Sequence, residues 1–323
     1  MMKLTRRALP VLPLLAPRLA SAQAWSPSGP IRVVMPQAAG SSGDIILRSM
    51  AEIMARELGQ PIVVENRPGA NGSIAATYVK QQRPDGQTLM LPGVSMVAFN
   101  QHLYRNLPYD PLKDFTYIAP VTNTAFVVIA SKQSGFTTLR QMIDKARAEP
   151  EKLTFSSAGI ANTTHLAMEM IAERAGVKMT HVPFGGSPQA MTAVASGQVD
   201  AMTAVLGIAL PLIRGGQVVP LSVVREARTP VLPDVPTQAE AGYPGPICPG
   251  WFALVGPAGM PDAAVQRLNA ATRTALMDPG VRARLDAADL EPLFSTAAEL
   301  RARLEEESRV WGAFIQARGL RLE

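Results

Sequence analysis

Three stretches of this chain place small residues and hydroxyls where an apolar run gives way to a helical pattern. They are "PQAAGSSGD" (36–44), "SAGIANTT" (157–164) and "FGGS" (184–187). The first turn of a helix has N–H groups without internal partners and carries partial positive charge. A loop with almost no side chains lets an anion reach those groups. Each stretch is therefore a candidate carboxylate or phosphate cradle. The residues that would do the work are Ala39, Gly40, Ser41, Ser42 and Gly43 in the first. In the second they are Ala158, Gly159, Asn162, Thr163 and Thr164, and in the third Gly185, Gly186 and Ser187. The ordinary alternative is a helix cap after a βα turn. One such loop alone favours capping. Three of them at strand ends favour binding, because ligands of open α/β sheets sit at the carboxyl ends of strands. Asp44 falls in the first helical turn, where it suits the dipole but would repel an anion. A structural role is expected for it.

Other chemistry is poorly supplied. "GSSGD" lacks the GK[ST] of a P-loop and fails G-x-G-x-x-G spacing. There is no G-x-S-x-G elbow and no H-E-x-x-H. Of the three histidines, His102 reads as part of a polar loop and His181 as a strand residue that packs. His165 opens a helix with Glu169 one turn on, but two ligands without a third are weak grounds for a metal. The one cysteine, Cys248, sits in a Pro-rich connector with no base beside it and reads as an unpaired thiol. No metal, no cofactor and no catalytic constellation is expected; a binder fits better than an enzyme.

The elements that would position these loops alternate. "IRVVMP" (31–36) reads as a strand, 44–58 as a helix with apolar residues at helical spacing, and 61–69 as strand and turn. Residues 71–82 read as a helix and 87–93 as a strand. A second series begins with a strand at 125–131 and a Thr-capped helix. "KLTFSSAG", "THLAMEMIAERAG", "KMTHVPFGG", "SPQAMTAVASG" and "VDAMTAV" then alternate strand and helix. Residues 228–250 form a Pro- and Gly-rich connector, 251–259 one more strand, and the remainder is helical. Alternation of this kind predicts an α/β fold with largely parallel sheets flanked by helices. The two series are built alike, so two lobes are expected, with the cradles facing an interdomain cleft.

The first 24 residues stand apart. Lys3, Arg6 and Arg7 precede a short apolar run, and Ala22-Gln23-Ala24 is an A-x-A site, so a cleaved export signal ending at Ala24 is expected. The full chain carries +5; without the four basic residues of the signal, 27 basic face 26 acidic residues, a net +1. The basic face that nucleic-acid binding needs is absent, and no nucleic-acid partner is expected.

Six segments carry a resemblance: 36–44, "ELGQPIVVENRPGANGSIAA" (57–76), "LPYDPLKDFTYIAPV" (107–121), "GQVDAMTA" (197–204), "LPDVPTQAEAGYPG" (232–245) and "GPAGMP" (256–261). In this order the chain resembles the extracytoplasmic solute receptors of tripartite tricarboxylate transporters, the Bug-type periplasmic binding proteins. The resemblance implies a two-lobed type II periplasmic binding fold that closes around a small carboxylated solute. It places the ligand between residues 36–44 and 157–165, and implies delivery to a permease with a large and a small membrane subunit. Lobe 1 would comprise 25–124 plus 251–323, and lobe 2 125–250. There are departures. Ala38 and Ser41 stand where Pro and a second Gly are usual, and Val97 where a polar residue or His is common. Gly185 replaces a usual Lys, and Thr203-Ala204 a usual Phe-Asp. Ala38 and Thr203 join the expected ligand contacts on this basis. A less charged site favours a monocarboxylate, or a carboxylate with an apolar body, over citrate. Two other readings stay open: a ligand-loaded partner of a membrane signalling protein, and an exported α/β hydrolase.

Overall fold

The computed structural model describes residues 25–317; the expected signal and its cleavage site after Ala24 lie outside the described residues. The chain begins with β1 (Ile31–Met35), α1 (Ser42–Leu58), β2 (Ile62–Asn66), α2 (Ser73–Lys80), β3 (Thr88–Met90), α3 (Asn100–Leu103) and β4 (Phe115–Thr124). It continues with β5 (Phe126–Ser131), α4 (Leu139–Ala148), β6 (Thr154–Ser157), α5 (Thr163–Arg174), β7 (Thr180–Pro183), α6 (Ser187–Ala195), β8 (Ala201–Val205), α7 (Leu206–Arg214) and β9 (Val218–Val224). It ends with β10 (Trp251–Pro257), α8 (Asp262–Met277), α9 (Pro279–Ala287), β11 (Leu290–Pro292) and α10 (Ala297–Ala317).

Two sheets result, with strand orders β11-β4-β10-β3-β1-β2 and β7-β6-β8-β5-β9. Strands joined by helices pair in parallel: β1 with β2 and β3, and β6 with β7 and β8. The strands that carry the chain between sheets pair antiparallel: β10 with β3 and β4, β5 with β8 and β9. Both sheets are therefore mixed, because a crossing strand enters each sheet from outside its own βαβ units.

Side-chain alternation explains how each sheet acquires two helical layers. Ile31, Val33 and Met35 face α1 through Ile46, Met50 and Met54, and α8 through Leu268 and Ala271. Val34 points the other way, to α2 through Ala75 and Val79 and to α10 through Leu300, Leu304 and Ile315. In the second sheet Phe126, Val128 and Ala130 face α4 and α5, while Val127 and Ile129 face α6 and α7. These side chains are almost fully buried, and each large one stabilises its layer by roughly 1.5–3 kcal/mol.

Only Ala125 separates β4 from β5, and the return crossing runs beside it. Thr124 N–H donates to Gly250 O at 2.7 Å. A Cβ on Gly250 would lie 2.3 Å from Thr124 Oγ1 and 2.6 Å from Thr124 O. Glycine is required there by close backbone approach.

The stretch after 259, expected to be helical, contains the strand β11, because Leu290–Pro292 pairs with β4; α3 also differs from the expectation, and β4 is not among the expected strands. His102 belongs to α3 rather than a polar loop, with Nε2 2.8 Å from Ser308 Oγ of α10. β4 is a ten-residue strand despite Pro120 and its polar end, because β10 and β11 pair with it on both sides.

Candidate functional site

The 36–44 loop is shaped by one carboxylate. Asp44, its side chain 5% exposed, accepts from Gly40 N–H at 3.0 Å, Arg48 Nε at 3.1 Å and Asn66 Nδ2 at 3.0 Å. Asn66 Nδ2 also donates to Gln37 O at 3.0 Å. Burial alone would raise this carboxyl; the hydrogen bonds from Arg48, Gly40 and Asn66 outweigh it and hold Asp44 below the usual carboxylate range. Ser41 caps α1 by accepting from Asp44 N–H, which leaves the amides of Ser42 and Gly43 as the helix's first-turn donors.

The 157–164 loop is organised by Asn162, the α5 cap. Its Oδ1 accepts from Thr164 N–H and Oγ1, each at 3.1 Å, and Thr164 Oγ1 accepts from Ala158 N–H at 3.0 Å. The start of α6 is different. Its N-cap, Gly186, supplies no side-chain acceptor, so no side chain of the cap competes for the amides there.

These three helix starts meet at one cavity of about 360 Å³ between the lobes, within the ~300–1,000 Å³ range of small-molecule sites. From the expected residues, Ala38, Ser41, Ala158, Gly159, Asn162, Gly185, Gly186 and Ser187 line it. Ser42, Thr163 and Thr164 line a narrow recess that shares Gln37, Gly93, Ser95, Asn162 and Ser187 with the cavity. Ala39 and Gly40 are exposed and form the turn, outside the lining. Gly43 is packed instead: a Cβ there would meet Met35 Cε and Phe252 Cε1, each at 2.8 Å. Thr203 is fully buried in β8, its hydroxyl toward Met168 Sδ, and lies outside the lining.

Much of the wall lies outside the residues that sequence reasoning singles out. Pro68, Gly69, Ala70, Asn71 and Gly72 line the cavity, as do Ser95, Met96 and Tyr104 of lobe 1 and Ile160, Pro183 and Phe184 of lobe 2. The 69–72 backbone has φ of 129, 46, 44 and 88° in succession. Such a run is costly for Ala70 and Asn71. It is held from behind: Asn71 Nδ2 donates to Asn100 Oδ1 at 2.7 Å, and Asn100 Nδ2 donates to Asn71 O at 3.1 Å and to Tyr109 Oη at 2.9 Å. Tyr109 in turn donates to Met96 O at 2.6 Å. The "PGANG" run carries the signal, since P-G and N-G dipeptides mark special backbone.

No Asp, Glu, Lys, Arg or His lines the cavity or the recess. Positive potential comes from helix starts, and neutral donors from Ser41, Ser42, Asn162, Thr163 and Ser187. Burial pushes the Tyr104 phenol up, so it stays a neutral hydrogen-bonding group. Buried Gln37 Oε1 at the shared wall has no protein partner. The surfaces beyond the recess, Met96, Tyr104, Ile160 and Phe184, are largely apolar. Such a site can hold one anionic group at its base and an apolar body above it. It has no nucleophile–base pair. Among the described residues no group of three His, Cys, Asp or Glu could hold a metal ion, and no helix is long and apolar enough to cross a membrane. His165 Nε2 lies 3.5 Å from Glu169 Oε1. Cys248 is buried and free, its thiol pushed up to about 12 by burial and by Glu307.

Known proteins resemble the chain in sequence and fold. The tripartite tricarboxylate transporter family receptor model matches residues 46–320. A UPF0065 protein of Bordetella pertussis is 33% identical over 319 residues, 98% of each chain. A solved structure of R. palustris Rpa4515 with adipate is 30% identical, covers 92% of this chain and 99% of its own, and has a TM-score of 0.88. MatC from Rhodopseudomonas palustris with bound malate is 34% identical, covers 89% and 99%, and has a TM-score of 0.84.

Proposed function

The chain belongs to the tripartite tricarboxylate transporter receptor family, a family of solute-binding receptors and not of enzymes, and from that premise we propose a cargo and a mode of capture. The protein binds a small organic carboxylate in the cavity between its lobes. The carboxylate sits at the base, against the first-turn amides of α1, α5 and α6 and the hydroxyls of Ser41, Ser42, Thr163 and Ser187. An apolar body lies toward Met96, Tyr104, Ile160 and Phe184. The observation that carries this reading is the meeting of three helix starts at a cavity whose wall holds no charged side chain. An anion there is held by dipoles and neutral donors, and no buried counter-charge must be desolvated. Adipate and malate in the two related structures support carboxylate as the class.

Lobe 1 comprises residues 25–124 and the chain from 251 onward, of which 318–323 lie outside the described residues, and lobe 2 residues 125–250. The protein works in the periplasm after removal of residues 1–24, and hands its cargo to a tripartite tricarboxylate-type membrane permease. Native mass spectrometry of the chain from residue 25, alone and with benzoate, hexanoate, adipate, malate and citrate, tests the cargo. The expected result is one-to-one binding, with an acid bearing an apolar body retained best. Absence of binding by every acid in a folded protein overturns the carboxylate reading, and preference for citrate overturns the apolar-body part.

A further inference from the structure

Behind the lobe-2 wall, outside the lining of the cavity and its recess, lies a stack of rings. Phe155 of β6, His181 of β7 and His165 of α5 are layered, with ring centroids 4.9 Å apart for Phe155–His181 and 3.8 Å for His165–His181. The two imidazoles lie within 13° of parallel. The loop between β6 and α5 lies against this stack and gives Ala158, Gly159, Ile160 and Asn162 to the cavity. It has φ of 132° at Gly159 and 61° at Ala161, so it needs anchoring.

Each histidine supplies an anchor. Ala161 N–H donates to His165 Nδ1 at 3.2 Å. Ser157 Oγ donates to Gly159 O at 3.0 Å and accepts from Gly159 N–H at 3.2 Å, so His181 Nε2, 2.7 Å away, is the donor to that hydroxyl. A ring nitrogen that accepts from a backbone amide carries no proton, so His165 is neutral here with its proton on Nε2. Protonation at Nδ1 would turn that acceptor into a donor facing the Ala161 N–H. It would also place a cation on the face of His181.

We propose that His165 and His181 are positioning residues of the cavity: the stacked pair fixes the 157–162 loop, and a proton taken up at His165 Nδ1 releases the loop and with it the bound solute. The half concerning the solute rests on the cavity being the solute site; the half concerning the loop does not. Several charges act on the pair. Burial first, and then the neighbouring His165, push His181 down to about 4, while Glu169 acts in the opposite sense. Glu169 also stands 3.5 Å from His165 Nε2 and favours a proton there. β6 and β7 carry no other titratable side chain. Glu169 is the carboxylate that stands beside the pair and faces any charge that acid places on it.

The test combines NMR of the ligand-free protein with benzoate binding by the wild type and His165→Asn, which keeps a side-chain acceptor but cannot take up a proton. At about pH 7.5, imidazole ¹⁵N shifts should show an unprotonated His165 Nδ1. The Ala161 amide should move in step with His165 as the solution is acidified. Wild-type affinity for benzoate should fall about tenfold between about pH 7.5 and 5.5. In His165→Asn the affinity should be flat across the same step, at whatever level it starts. An Ala161 amide that ignores His165 titration overturns the proposal, as does the same pH dependence in both proteins. If benzoate does not bind the wild type at neutral pH, the best-bound acid of the panel replaces it; if no acid binds, the cargo reading fails, and the Ala161–His165 signature still decides the loop half.

Discussion

At the scale of single residues, the sequence reveals recognition where recognition needs the absence of side chains. Gly186 shows why. A Cβ there would stand 3.0 Å from Ala38 Cβ in the opposite lobe, tighter than ordinary contact, although the backbone is extended and suits any residue. Gly186→Val should therefore fold normally and bind the cargo about tenfold or more weakly, read by calorimetry beside a thermal melt. Unchanged affinity would remove the lobe contact from the mechanism. Asp44 is legible for the opposite reason: in the proposed cradle a carboxylate must face away from the anion, and it is turned to Arg48, Asn66 and the Gly40 amide. Asp44→Asn should lower unfolding free energy by ~2 kcal/mol, since Arg48 and the Gly40 amide lose a charged partner. The folded-state carboxyl is held below its usual value of 3.8. Its contribution is therefore present above that pH and lost as pH falls through the lower folded value. Denaturant melts of wild type and variant should converge in that acid window, and a constant difference down to the lowest pH would contradict the assignment. Thr203 and Gly43 could not be placed from residue type, because burial depends on which face of a strand or helix meets the core.

At the scale of elements, alternating periodicity locates most strands and helices, and the misses have physical causes. β4 is hidden by Pro120 and a polar tail, and becomes a strand only through partners more than a hundred residues away. The segment before α3 winds more widely than an α-helix, with Asn100 N–H bonded to Ser95 O, so its apolar spacing fits no standard period. That wide turn brings Asn100 beneath the 69–72 loop, and a long-range pairing of two asparagines leaves no local pattern. Asn100→Ala should leave the Asn71 side chain and carbonyl without this partner and remove one of the hydrogen bonds of the Tyr109 hydroxyl, which keeps Met96 O. It should cost ~2 kcal/mol of stability and speed amide hydrogen exchange at residues 69–72 more than elsewhere in lobe 1. Exchange that rises evenly across the lobe would show that Asn100 supports the core and not that loop.

At the scale of the whole molecule, the proposed capture requires that the solute touch both lobes. Two crossings, packed against each other at Gly250 and Thr124, are the described chain connections between the sheets, so the closure that the proposed capture requires would bend the chain there. Ala38 and Gly186 close one side of the cavity, and Gly40 and Pro188 approach across it. A ligand shifts an open–closed equilibrium only by its differential contact with the two states. A carboxylate gripped by α1 from lobe 1 and by α5 and α6 from lobe 2 has that property; one held by lobe 2 alone does not. Two measurements on one sample separate the cases. At about a hundredfold excess over Kd, binding should stabilise the protein by ~2.7 kcal/mol and raise Tm by several degrees. It should also reduce the radius of gyration by small-angle scattering, since only the closed form completes the site. A rise in Tm without compaction would mean one-lobe binding. Gly186→Val is the internal control, because a valine that props the lobes apart should abolish the compaction even where enough ligand restores the rise in Tm. Compaction that survives in Gly186→Val would place closure somewhere other than this contact.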